Sequence, residues 1–158
     1  MRIKIKKEER SSIALSLTPE ELIILFPNYI NKSQKDLERI IVSHLSEIGD
    51  ADNSRISRDE FENMISLWAK KLKVKPNRIQ LRKMSKKWAS CSENKNLTFH
   101  YSILNFPKEF VEYIVCHELL HLKVPNHGIL FKSLLSAYVP DWENRIRNTI
   151  KNIFKEYL

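Results

Sequence analysis

His117, Glu118 and His121 stand in the pentad His117-Glu118-Leu119-Leu120-His121, and His127 follows six residues later. On a helix the two outer histidines occupy i and i+4, nearly one above the other and about 6 Å apart along the axis, so both imidazoles can meet one metal ion. Glu118 projects about 100° round the helix from His117 and about 60° from His121. Its carboxylate therefore flanks the same ion without ligating it, in the place for a general base. Three imidazoles with one open position make a catalytic rather than a structural Zn2+ geometry, because a structural site closes its fourth position with a protein ligand. Zn2+ lowers the pKa of bound water to about 7, and Glu118 is placed to take the proton and hand it to a leaving group. The reaction expected is metal-assisted hydrolysis, with Glu118 catalytic.

The third ligand needs a separate argument. His127 lies at the HExxHxxGxxH spacing of metzincins, yet Val124 holds the glycine position and no methionine follows Met84. Pro125 disfavours helical geometry at Val124 and ends the helix just after the pentad, and Pro125 and Gly128 would have to produce the reversal that the metzincin glycine allows. His127 is the expected ligand, with Glu143 or Asp141 as the fallback. Cys116 precedes the first ligand about 100° round the helix and reads as a buried apolar thiol. His100, opposite in parity to Phe99 and Tyr101, either lines the cleft or is a surface or hydrogen-bonded histidine. Tyr101, His100 and Asn126 are the candidates for stabilising a developing oxyanion.

The elements that must position these residues follow from apolar spacing. Ile3 and Ile5, then Ile13, Leu15 and Leu17, then Leu22, Ile24 and Phe26 alternate, with Thr18 to Glu21 as a turn, which predicts antiparallel hairpin strands. Ser33, with Asp36 three residues on, caps a helix carrying Leu37, Ile40, Ile41, Leu45 and Ile48, with His44 on its apolar stripe as a core or rim residue. A polar loop, 49–55, separates this part from the rest. Ser57 and Glu60 predict a capping box for a helix that buries Phe61, Met64, Ile65, Trp68, Ala69 and Leu72 and stops at Pro76-Asn77. Ile79, Leu81 and Met84, and then Leu97, Phe99 and Tyr101, predict strands, with Lys87 to Ser92 a strand end holding a packed Trp88. Pro107 suits the N1 position of the pentad helix, which runs to about Lys123 with Phe110, Ile114, Leu119 and Leu122 toward the core. Ile129 to Tyr138 predicts a helix with Leu130, Leu134 and Ala137 on one side. Pro140-Asp141-Trp142 opens a last amphipathic helix through Ile146, Ile150, Ile153 and Phe154.

Composition narrows the function classes. Two glycines in 158 residues argue for a helix-rich chain and exclude the glycine-rich phosphate loops of Walker and Rossmann sites. No apolar run approaches the ~18 residues needed to span a bilayer, and the N-terminal MRIKIKKEER has no apolar signal region, so a cytosolic protein without a membrane partner is expected. Cys91 and Cys116 form no disulfide framework and read as free thiols. The net charge of +8 hints at a polyanionic partner, nucleic acid or nucleotide, against the plainer reading of a solvated surface.

With these residues in place, the stretch from Lys87 to Trp142 resembles the YgjP-like family of zinc metallopeptidase-type domains, related to the SprT-like and WLM proteins. Trp88-Ala89-Ser90-Cys91-Ser92 is similar to the family's WGSCS segment. Tyr113-Ile114-Val115-Cys116-His117-Glu118-Leu119-Leu120-His121-Leu122 resembles its YVVxHELxHL helix. Asn126-His127-Gly128 with Phe131, and Pro140 with Trp142, resemble its NHSxxFW and PxW segments. Ala89 replaces the usual Gly, and His100 stands where the family often has Asn. The first could reshape the turn beside the cleft and the second could alter substrate contacts.

The resemblance implies an α+β, zincin-like single domain over 1–158, with an N-terminal antiparallel β-hairpin subdomain (1–50) and a helix-rich catalytic part (55–158). It implies Zn2+ on His117, His121 and His127, with Glu118 catalytic. It also implies a cytosolic zinc-dependent metallopeptidase acting on peptides. The alternatives are a nucleoside triphosphate pyrophosphatase using the same metal site, and a DNA-associated factor resembling SprT-like proteins, whose mark would be binding that weakens steeply with salt.

Overall fold

The computed structural model describes residues 2–9, 14–17, 21–28, 32–33, 35–37, 39, 56–84 and 88–153. Strands β1 (Arg2–Glu8), β2 (Ala14–Leu17) and β3 (Glu21–Pro27) form one sheet in the order β1-β3-β2. β2 runs antiparallel to β3, with Leu15 opposite Ile24, whereas β1 lies parallel to β3, with Ile5 opposite Ile24. The expectation of an N-terminal antiparallel hairpin sheet is thus corrected: the sheet is mixed, and β3 inserts between its two predecessors. The physical reason lies in the strands themselves. Glu21–Pro27 is the most apolar of the three, so it takes the centre, while Lys4, Lys6 and Lys7 stand exposed on β1, where edge charges discourage further pairing.

Ser33 caps the next turn as expected: its Oγ accepts from the Asp36 N–H at 3.2 Å, and the Asp36 carboxylate accepts from the Ser33 N–H at 3.3 Å. The expected turn residues Thr18 to Glu20, His44 with most of its helix, the 49–55 loop, Lys87 and Phe154 lie outside the described residues.

Helix α1 (Arg58–Leu72) starts with a complete capping box: Ser57 Oγ accepts from the Glu60 N–H at 3.1 Å, and the Glu60 carboxylate accepts from the Ser57 N–H at 2.7 Å. It ends at Lys73, in the left-handed conformation, whose N–H reaches back to the Ala69 and Lys70 carbonyls. That cap stops the helix before Pro76 can. Phe61, Met64, Ile65, Trp68 and Leu72 are buried as one stripe, each worth roughly 1.5–3 kcal/mol relative to exposure. Ser57→Ala should cost about 1 kcal/mol, read as a melting temperature lower by roughly 2–4 °C in a calorimetric scan.

A second sheet holds β4 (Arg78–Arg82), β5 (Ala89–Cys91) and β6 (Asn96–His100) in the order β4-β6-β5, with β4 parallel and β5 antiparallel to β6. Leu97 and Phe99 face the core, and Phe99 meets Phe61 of α1 edge-on at 5.1 Å. Tyr101, expected within the strand, instead begins a 3-10 turn (Tyr101–Asn105) and is 53% exposed.

Pro107 is the N-cap of helix α2 (Lys108–Leu120) rather than its first residue. α2 is the centre of the molecule: Phe110, Val111 and every residue from Tyr113 to Leu120 are buried. The apolar stripe expected on one side therefore extends nearly all round, as a helix packed on several sides requires. In helix α3 (Ile129–Tyr138) the side marked by Leu130, Leu134 and Ala137 is only partly covered, with Leu134 half-buried against the core. Phe131 and Leu135 are buried, whereas Leu130 is 60% exposed and Ala137 is exposed too. Helix α4 (Trp142–Ile153) buries Trp142, Ile146 and Thr149.

Candidate metal centre

The pentad occupies the C-terminal end of α2, with His117 in the last turn and His121 as the C-cap. After it the chain tightens: the N–H groups of Leu122, Lys123 and Val124 bond to the Leu119 and Leu120 carbonyls at 2.9–3.1 Å. Pro125 closes this turn and the chain comes back to His127. Gly128, the N-cap of α3, has φ −71°, and a Cβ built there would meet nothing within 4 Å. The reversal therefore does not use glycine's conformational freedom.

Three imidazoles converge. His117 Nε2 lies 3.2 Å from His121 Nε2 and 3.1 Å from His127 Nε2. His117, His121 and His127 form a group whose donor atoms all lie within 4.8 Å of one another. Phe131 supplies the floor, its ring 5.0 Å from His117, 4.7 Å from His121 and 4.7 Å from His127.

The donor chemistry tests whether a metal ion fits. The Val124 carbonyl, 3.2 Å from His121 Nδ1, can only accept, so Nδ1 carries a hydrogen and Nε2 is the nitrogen turned to the cluster. His117 is 1% exposed, and burial above all holds its pKa well below 6.5. It is neutral at pH 7, and a single hydrogen on its Nε2 could serve only one of the two nitrogens it faces. Nitrogens about 3.3 Å apart are what a tetrahedral ion with bonds of about 2.0–2.1 Å requires. The residues present fit a divalent ion bound by nitrogen.

Outer contacts orient the imidazoles. The Tyr113 hydroxyl lies 3.5 Å from His117 Nδ1, and Tyr113 in turn stacks on Trp142 at 5.9 Å with the rings 14° apart. Burial, with the Glu118 charge next, pushes the Tyr113 phenol well up, so it stays protonated. Trp142 is anchored by its indole N–H donating to Ser136 Oγ at 3.3 Å. The sequence carried a signal for Tyr113, which stands at i−4 from His117 just as His121 stands at i+4; for the Val124 carbonyl it carried none.

Glu118 is 2% exposed. Burial, with the Glu118 carboxylate second, raises the Cys91 thiol to about 11, and β5, which carries Cys91, packs against α2. Cys116 is a buried free thiol, pushed up to about 12 chiefly by burial.

The remaining candidates lie elsewhere. Asp141 is engaged with Arg145 at 3.0 Å, and Asp141 and Glu143 are exposed, so neither fallback ligand joins the cluster. Strand alternation puts His100 on the opposite face of its sheet from Phe99. There its Nδ1 accepts from the Ser102 N–H at 3.1 Å, its ring meets Trp88 and Tyr101, and burial lowers its pKa. It caps the 3-10 turn, and its stacked neighbour Tyr101 does not enter the imidazole cluster. Asn126 is exposed beside His127.

A family model described as a YgjP-like metallopeptidase domain matches residues 1–152. An uncharacterized protein of Methanocaldococcus jannaschii is 41% identical over 64 residues, the match covering 38% of this chain. This chain spans 58% of that relative's length. The crystal structure of the metallopeptidase zymogen of Methanocaldococcus jannaschii jannalysin superposes with a TM-score of 0.51 at 27% identity, covering 62% of this chain and 97% of that one.

Proposed function

The chain belongs to the YgjP-like family of metallopeptidase domains, and from that membership we propose that it is a zinc-dependent peptidase whose ion is held by His117, His121 and His127. The observation that carries this reading is the approach of His121 and His127 Nε2 to within 3.2 and 3.1 Å of His117 Nε2. Zinc suits a set of three imidazoles, and when bound there it would supply Lewis acidity that makes water nucleophilic near neutral pH.

The chain's own residues do the rest. Val124 and Tyr113 hold the imidazole rings in the orientation that turns Nε2 inward. Glu118 takes a proton from the attacking water at its carboxylate and returns it to the departing amine nitrogen, so the peptide bond breaks with no net change in the enzyme. Burial on the core helix keeps that carboxylate from swinging away. The N-terminal sheet is a subdomain attached to the catalytic part that begins near residue 55; in its favour, buried residues of both contribute to one apolar cluster. The two free thiols suit a reducing cytosol, and no helix among the described residues is long and apolar enough to cross a membrane.

The test is mass spectrometry of one pool of peptides and nucleoside triphosphates, incubated with zinc-loaded and with chelator-stripped protein. New peptide termini that need the metal are expected. Metal-dependent release of pyrophosphate or phosphate from the nucleotides, with intact peptides, would replace the peptidase reading by the phosphoanhydride one.

A further inference from the structure

Five cations and no acid occupy the nine residues from Lys70 to Arg78. The backbone folds this run against the turn that joins β5 to β6. The Asn77 N–H donates to the Lys95 carbonyl at 2.9 Å, and the Asn77 amide donates to the Asn94 carbonyl at 2.7 Å. Lys95 thereby joins Lys70, Lys71, Lys73, Lys75 and Arg78 in one corner; all six are exposed, and Glu93 is the single acid of that turn. Lys71 ties the corner to the helices, its Nζ 4.3 Å over the Trp68 ring and 5.8 Å over that of Tyr138.

Among the described residues the two non-glycine positions with positive φ are Lys73 (54°) and Lys95 (59°). Both turns would be made with less strain by glycine. Both carry lysine, and both lie in this corner.

We propose that Lys70, Lys71, Lys73, Lys75, Arg78 and Lys95 form a docking corner for a nucleic-acid backbone. Cations of one sign spread over a helix end, a link and a strand match a polymer of phosphates better than one small anion. Lysines reach phosphates as mobile point charges and read no base pattern, so the binding is indifferent to sequence. A bilayer surface is the poorer fit, because α1 turns its apolar stripe into the core and leaves none to insert.

The experiment is fluorescence anisotropy with a labelled single strand and the same strand as duplex, over a salt series, on the full chain. If about four phosphates are engaged, log affinity for the single strand falls against log salt with a slope of about −3. The quadruple variant Lys73→Gly, Lys75→Gln, Arg78→Gln, Lys95→Gly should weaken binding at least about thirtyfold at low salt and flatten the slope. Removing as many charges elsewhere (Lys6, Lys108, Lys132 and Arg147 to Gln) should weaken it much less. The double variant Lys73→Gly, Lys95→Gly should melt no lower than the parent while binding more weakly, which separates a docking defect from a folding one. Metal-stripped protein should bind equally well, so the result stands apart from the peptidase assay. Absence of binding at low salt, equal loss in the two quadruple variants, or tighter corner-dependent binding to phosphatidylserine-rich vesicles or polyglutamate would each overturn the proposal.

Discussion

Replacing Glu118 with glutamine is expected to lower peptide hydrolysis by about a hundredfold to ten-thousandfold while the protein keeps its metal. The two halves of this expectation rest on different features. Loss of activity follows because an amide cannot take the proton from water. Retention of the metal follows because the inward nitrogens belong to His117, His121 and His127, and Glu118 is not one of that group. The fold should also survive: the side chain is 2% exposed, glutamine has nearly the same shape, and a neutral amide is easier to bury than a carboxylate. Metal analysis, a melting curve and turnover on one preparation test all three together. Full turnover by the variant would remove Glu118 from the chemistry; inactivity accompanied by metal loss would show that the carboxylate supports the site rather than the reaction.

The cluster was legible in the sequence because it is mostly local. His117 and His121 are brought together by one turn of helix, a geometry that needs only the helix to form. His127 was legible by spacing, but the way it returns was not: a glycine conformation was expected of Gly128, and the structure turns the chain with ordinary negative φ after Pro125. The spacing put Leu130, Leu134 and Ala137 on one side of α3 but did not single out Phe131, which is buried against three imidazoles, a contact that no helical period encodes. Period-two spacing likewise told which side chains of β1 share a face but not which strand β1 would join, so its parallel pairing with β3 could not be read. The capping residues Ser33 and Ser57, whose partners lie three positions away, were read correctly.

His127→Ala should weaken zinc binding by more than the roughly 10- to 100-fold that outer-shell partners of a metal site are worth, because it removes a proposed ligand and leaves two. The consequence can be read without any substrate. At a hundredfold excess over its dissociation constant, a ligand that binds only the folded state adds about 2.7 kcal/mol of stability, so added zinc should raise the melting temperature of the parent chain. In the His127→Ala chain that rise should collapse. Asp141→Asn and Glu143→Gln provide the contrast. Asp141 spends its carboxylate on Arg145 at 3.0 Å, both acids are exposed, and neither belongs to the imidazole cluster. Both variants should show the full zinc-induced rise, although Asp141→Asn starts from a slightly lower melting point through the weakened ion pair. A His127→Ala chain that still binds one zinc tightly, and loses it only when Glu143 or Asp141 is also replaced, would move the third ligand to the start of α4. Phe131, whose ring lies 4.7 Å from both His121 and His127, would then be floor to two imidazoles rather than three. If instead the rise is lost with His127 alone, the turn from Val124 to Gly128 is the element that completes the metal centre, and the helix pentad by itself is only two-thirds of a site.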